Sequence, residues 1–311
     1  MTVRVAAALA ALLVLVTAGC SEPDPQVPPG DLRIATGSAG GVYYTYGQGL
    51  ADLVRERIPT LRPSVMRTEA SFENVQLVRD RRAEVGFTQA DIIADAVGPG
   101  GRGVVALARL YDDYLHLVVR ENAPINRVDD LRGRTVSIGA QGSGTAITVT
   151  RVLDVAGVDP ERDFAVQRLG LDQSVVALRE GRIDAVFFSG GLPVVALTDL
   201  TALVPIRLVD LGGYAAGLSR KYGQFYAEHA VPASTYGLNP ATTVGVPNYL
   251  VVSPDLPEAT AYALTRALFD GRESLARVHP AARRLNYREA ISTYGLALHP
   301  GAAQYYRDAK I

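Results

Sequence analysis

Two segments of this chain repeat one device. TGSAGGVYYTYGQGLADLV (Thr36 to Val54) sets a glycine-rich turn between a β-branched run and a helical pattern, and TVSIGAQGSGTAITVTRVLDVAG (Thr135 to Gly157) does so again in the middle of the chain. Five glycines within thirteen residues (Gly37, Gly40, Gly41, Gly47, Gly49) cost backbone entropy on folding, so they call for a local reason such as close approach of a ligand to bare backbone. Short β-branched runs alternate with helical-period segments along most of the sequence, which argues an α/β fold with largely parallel strands.

The strands are read at Leu32 to Gly37, in PSVMRTE, in AEVGFTQ, at Thr135 to Gly139, in FAVQRL and in IDAVFF. Helices are expected over about Val42 to Arg57, Ser71 to Arg82, from Asp91, over about Ser143 to Ala156, in DQSVVALREG and in the tail beyond Pro257. Two extended segments are unusually long for one domain: VVALARLYDDYLHLVVR (Val104 to Arg120) and TTVGVPNYLVVS (Thr242 to Ser253). They suit strands that carry the chain out of one lobe and back. The expected architecture is therefore two α/β lobes, residues 31–115 plus 250–311 and residues 116–249, joined by two crossing strands with a cleft between.

At 311 residues, with 48% hydrophobic and 20% charged residues, the chain is long enough for two cores. A net charge of −1 and the lack of a basic block exclude a nucleic-acid partner. The N-terminus reads as a targeting signal over residues 1–19, with Arg4 before the apolar run VAAALAALLVLV. Cys20, the one cysteine, cannot make an intramolecular disulfide, and residues 20–30 are a proline-rich tether.

Four strand-to-helix turns concentrate small polar residues: Gly37 to Tyr44, Thr68 to Asn74, Gly139 to Thr145 and Phe187 to Pro193. A helix N-terminus carries unpaired N–H groups and about half a positive charge, so such turns hold anions without lysine or arginine. None matches a nucleotide fingerprint, and no cofactor is expected. Tyr43 is the tyrosine placed to offer a ring and a hydroxyl. Ser143 lacks the glycines of a nucleophile elbow and a recognisable His-Asp pair, so catalytic residues are not expected. The histidines His116, His229, His279 and His299 lie too far apart for a helical metal pair, and no metal is expected. In VHPAA and LHPGA each histidine precedes a proline that suits a helix start. The paired acids of YDDY face opposite sides of a strand, which makes them a poor acid–base pair.

The segments IATGSAGGVYYTYGQGLADLV, TEASFENVQLVRDRRAEVGFTQADI, DDLRGRTVSIGAQGSGT and DAVFFSGGLP together resemble the TAXI family, the extracytoplasmic solute receptors of TRAP-type (tripartite ATP-independent periplasmic) transporters. VTAGC resembles a bacterial lipoprotein signal, which implies lipidation of Cys20 and an extracytoplasmic, membrane-anchored protein. The family resemblance implies a type II-like periplasmic-binding-protein fold, a small carboxylate such as glutamate, glutamine or 2-oxoglutarate as ligand, and permease membrane subunits as partner. By position it implies ligand contacts at Ser38, Ala39, Gly40, Gly41, Tyr43, Ser71, Asn74, Gln89, Ser143, Gly144, Thr145, Ser189 and Gly190. Backbone N–H groups at Gly40, Gly41, Gly144 and Thr145 would hold the carboxylate, while Asn74 and Gln89 select by hydrogen bonding. Arg109 is the one arginine to test for a second carboxylate, and a monomer is expected. The rival readings are a lipoprotein that reports to a membrane sensor kinase, a secreted hydrolase with Ser143 as nucleophile, and an adhesive surface lipoprotein.

Overall fold

The computed structural model describes residues 26–97 and 103–310. In chain order, β1 (Gly30–Ala35), α1 (Val42–Arg57), β2 (Leu61–Met66), α2 (Ser71–Arg79), β3 (Val85–Gln89) and α3 (Ala90–Val97) build the first lobe, and β4 (Val105–Arg120) leaves it. The second lobe holds β5 (Thr135–Ser137), α4 (Gly144–Ala156), β6 (Ala165–Gln167), α5 (Leu171–Glu180), β7 (Ala185–Gly190), α6 (Val195–Thr201), β8 (Ile206–Leu208), α7 (Ala215–Tyr222) and β9 (Ala227–Val231). β10 (Ala241–Val252) returns, and α8 (Glu258–Asp270), α9 (Arg272–Val278) and α10 (Pro300–Asp308) close the first lobe.

The strand order β2-β1-β3-β10-β4-β7-β5-β6 makes one curled sheet, with β8 beside β4 and β9 beside β10. Each lobe keeps a parallel trio, β2-β1-β3 and β6-β5-β7. The expectation of largely parallel strands is corrected at the centre, where β10 runs antiparallel to β3, β4 and β9. β4 is likewise antiparallel to β7 and β8. The reason is topological. A chain that crosses between lobes once in each direction must lay its two crossing strands side by side in opposite senses, and antiparallel pairing needs no crossover helix.

The register between β4 and β10 slips twice, leaving Leu110 and Leu107 as extra residues on β4. Such bulges re-aim the side chains beyond them. Almost every residue of β4 and β10 is buried, so both faces are covered and the strands read as long apolar runs.

α1 shows why these segments are helical. Val42, Tyr43, Tyr46, Leu50, Leu53 and Val54 recur at three- and four-residue spacing and are all buried, while Arg55 and Arg57 sit in the last turn where they complement the helix dipole. Its apolar stripe packs with Leu32, Ile34, Phe87 and Leu107 in the first core, and each fully buried side chain of this size stabilises by about 1.5–3 kcal/mol. A second core joins the two lobes, since Ile92 and Ile93 of α3 belong to the same apolar cluster as Val149 and Val152 of α4. Leu171, Leu178, Val186 and Leu200 anchor a third core on the other face of the second lobe.

The prolines after histidine act as expected. His279 and His299 each accept a hydrogen bond from the backbone N–H two residues on (both 3.1 Å) and so cap helical turns that start at Pro280 and Pro300. Among the described residues no helix is long and apolar enough to cross a membrane.

Candidate functional site

The N-termini of four helices, α1, α2, α4 and α5, converge on one cavity between the lobes. It encloses about 680 Å³ of empty space, the open solvent at its mouth included, which suits a small ligand. Three of the four helices were expected to meet there. The fourth was expected after FFSGGLP; instead α6 starts only at Val195 and its first turn is absent from the cavity wall, whereas Gly170 and Leu171 at the start of α5 stand in it.

From the first lobe, Ser38, Gly41 and Tyr43 line the cavity at α1, and Ser71 lines it at α2. The Gly41 N–H donates to the Ser38 carbonyl at 3.0 Å, which holds the turn. Tyr43 lies flat against Phe87, with ring centroids 5.3 Å apart, and its hydroxyl donates to Asn248 Oδ1 beside Ser71 Oγ. Ala70, the residue before α2, has φ 73°, a region where a non-glycine residue stores strain of about 1–3 kcal/mol. Such strain gathers where a backbone is held for a ligand.

From the second lobe come Ser143, Gly144, Thr145, Ser189 and Gly190. Gly139 turns the chain with φ 93°, and a Cβ there would meet Thr145 Cβ at 2.8 Å, so only glycine fits. Ser143 Oγ accepts from the Ala146 N–H (3.2 Å) and donates to the Ala140 carbonyl (2.7 Å). The hydroxyl is a helix cap with its proton already placed. Ser143→Ala is expected to lower stability by about 1 kcal/mol, read as a drop of about 2–4 °C in melting temperature. An unchanged melting temperature would show that the cap carries no load.

Gln89 ties the cavity together. It is 1% exposed, and its amide nitrogen donates to Asp113 Oδ2 (2.9 Å) and Ser189 Oγ (2.6 Å). The Ser189 N–H in turn donates to Thr145 Oγ1 (3.0 Å). Behind the cavity Asp91 of α3 accepts from Thr148 of α4 (2.8 Å) and from Tyr226 next to β9 (2.9 Å), so both lobes are stitched at the base.

Three expected contacts fall elsewhere. Asn74 is fully buried away from the cavity; its amide donates to the carbonyls of Thr36 (2.6 Å) and Phe87 (2.8 Å), bracing α2 against β1 and β3. Ala39 stands at the outer mouth of the cleft, and Gly40 faces Asp172 across it: a Cβ on Gly40 would come within 2.5 Å of Asp172 Oδ1. Arg109 is paired with Asp112 at 2.7 Å and lies over Tyr294, not in the cavity wall. Conversely, Asp113 and Tyr111 do line the cavity, and neither was expected there. The signal was their two-residue spacing on β4, which puts them on one face while Asp112 turns away to Arg109 and His229.

No lysine, arginine or histidine lines the cavity among the described residues. Positive potential comes from the helix N-termini alone, and the buried charge is Asp113. Burial pushes its carboxyl up to about 7, opposed by the Asn248 and Gln89 side chains and reinforced by the Asp112 and Asp91 carboxylates. Burial also raises the Tyr43 and Tyr111 hydroxyls well above their ordinary value, so both stay neutral.

A pair of α/β lobes, two antiparallel crossing strands and a cleft lined by helix N-termini define the two-lobed periplasmic-binding-protein fold. The chain belongs to the NMT1-like family, whose model matches residues 34–309. Solved structures share the fold at low identity. The periplasmic aliphatic sulphonate binding protein SsuA from Escherichia coli aligns over 90% of this chain and 83% of its own, with 19% identity and a TM-score of 0.51. MatC from Rhodopseudomonas palustris, with bound malate, aligns over 89% and 98%, with 12% identity and a TM-score of 0.57. A binding protein component of an ABC phosphonate transporter from Pseudomonas aeruginosa aligns over 82% and 79%, with 10% identity and a TM-score of 0.57.

Proposed function

We propose that the chain is an extracytoplasmic solute receptor that closes its two lobes over a small carboxylate and hands it to a membrane permease. The observation that carries this reading is the convergence of four helix N-termini on an interlobe cavity with no basic side chain in its wall. Backbone N–H groups and hydroxyls recognise one carboxylate there without the tight grip of a buried arginine. That suits a protein that must release its cargo. The structural neighbours whose names carry sulphonate, malate or phosphonate support an anionic group on the solute.

The resemblance of the motifs around Gly41 and Gly144 to the TAXI family supports a TRAP-type permease as the partner in this reading. The lobes are residues 31–115 plus 250–311 and residues 116–249, hinged on β4 and β10. Cys20 and the segment before it lie outside the described residues; lipidation there would hold the receptor at the membrane as a monomer on a tether.

The reading is tested by melting the full chain with carboxylates, amino acids, sugars and phosphate esters. A ligand at a hundred times its dissociation constant adds about 2.7 kcal/mol, so the melting temperature should rise by a few degrees with a compound that carries a carboxylate, amino acids included, and not with sugars or phosphate esters. A rise with sugars only, or with none of the compounds, would refute it.

A further inference from the structure

The cavity wall combines one kind of polar recognition with a large share of apolar surface. Hydroxyls stand at the helix starts, with Ser38 before α1, Ser71 at the head of α2 and Ser143 before α4. Beside them, Val42 and Tyr43 of the first lobe and Leu169, Leu171 and Phe188 of the second line the cavity with carbon. These apolar side chains are held from behind. Tyr43 lies flat against Phe87, while Leu169, Leu171 and Phe188 pack on the third core with Leu178 and Val186. A wall fixed in this way loses little side-chain freedom when a ligand binds.

The same wall has no place for a second charge. Its charged residues, among the described ones, are Asp113 and Glu69, and neither attracts a second carboxylate. Asp113 is not offered to an ammonium group either: Oδ2 holds the Gln89 amide (2.9 Å) and Oδ1 is closed off. The Gln89 amide nitrogen is spent on Asp113 and Ser189, and the Ser143 hydroxyl on the Ala140 carbonyl. Arg67 and Arg168 stand only at the outer mouth, where Arg67 lies over the Tyr44 ring (5.0 Å) and Arg168 pairs with Glu161 (3.2 Å). A charge taken into such a cavity without a partner is costly.

We infer that the solute is a monocarboxylate with an apolar body, neither a dicarboxylate nor an amino acid, and that Leu169, Leu171 and Phe188 form the subsite for that body. The inference rests on the receptor reading above and narrows its solute. The one carboxylate meets the N–H groups of the helix starts. The alkyl or aryl body lies against the side chains of both lobes, so closure itself removes apolar surface from water. Each methylene buried there raises affinity by about fourfold. A second carboxylate or an ammonium group on the same body enters without a partner and lowers affinity by at least about a hundredfold.

The experiment is calorimetric titration of the full chain, at about pH 8, with butyrate, hexanoate, adipate and norleucine, the last three sharing one six-carbon chain. Hexanoate is expected to bind about fifteenfold more tightly than butyrate, and at least about a hundredfold more tightly than adipate or norleucine. Leu169→Ala should shrink the step from butyrate to hexanoate to a few-fold. Leu169→Arg, which puts a cation in the wall, should bring adipate to within a few-fold of hexanoate. Both variants are checked for folding by their melting curves, and the wild-type titrations decide the solute class whether or not either variant folds. Adipate, norleucine or butyrate bound as tightly as hexanoate would overturn the inference and leave the receptor reading standing, and a folded Leu169→Ala chain with the wild-type step would overturn the subsite. Binding of none of the acids would overturn both inference and receptor reading.

Discussion

Gly144→Ala is expected to weaken ligand binding by about a hundredfold. Gly144 opens α4 with its φ outside the left-handed region, so alanine suits its backbone. The added Cβ, however, would stand 1.7 Å from Gln89 Oε1 and 2.6 Å from the amide carbon. Gln89 could yield only by giving up its bonds to Asp113 (2.9 Å) and Ser189 (2.6 Å), which link the first lobe, the crossing strand and the second lobe. A hydrogen bond to a charged group contributes about 1.5–3 kcal/mol, so losing this pair on closure corresponds to about two orders of magnitude in affinity. Gly144→Val should be worse still. Melting without ligand and titration with it separate folding from binding: a variant that binds as wild type would show that Gln89 and α4 do not meet in the working closed form.

The second large effect is on stability against pH. Asp113 has a native-state value of about 7, pushed up by burial, against about 4 for an unfolded aspartate. A carboxyl with a raised native value holds its proton more tightly when folded. Its stabilising contribution is complete below pH 4 and is lost as pH rises to 7, on the order of 4 kcal/mol across that window. His116 works in the opposite sense. Burial lowers it to about 4, so its contribution is complete above the unfolded value near 6.5 and is lost as pH falls to 4. The Asp113 contribution is therefore read from the difference between two curves. Asp113→Asn should match wild type near pH 4 and exceed it by several kcal/mol at pH 8 in denaturant melts without ligand. Curves that stay parallel from pH 4 to pH 8 would show that Asp113 is not buried in the ligand-free protein.

Much of the scaffold was legible because its signals are local. The apolar stripe of α1, the helix starts at Ser143, Pro280 and Pro300, and the length of the runs at β4 and β10 all depend on neighbours within a few residues. What was not legible depends on distant partners. The antiparallel insertion of β10 between β3 and β4 depends on pairings more than a hundred residues apart in sequence. β8 and β9 are three and five residues long and carry no strong alternation, so they stand only by pairing with β4 and β10.

The site divides in the same way. Glycine turns marked three of the helix starts, whereas α5 begins at a single glycine in RLGLDQS and gave no comparable mark. Asn74 looked free to meet a ligand because the carbonyls that use its amide belong to Thr36 and Phe87, 38 and 13 residues away. Asp113 was hidden for a different reason. Alternation put it opposite Asp112, but the bulges at Leu107 and Leu110 and the pairing with β10 decide which face looks into the cleft.

The two lobes are expected to close about β4 and β10 over a solute in the cleft. Small-angle scattering of the full chain, free and saturated with the acid that most raises its melting temperature, tests it most directly. The radius of gyration should be smaller with ligand for wild type, with no contraction for Gly144→Val. Equal radii for the free and saturated wild-type protein would contradict it.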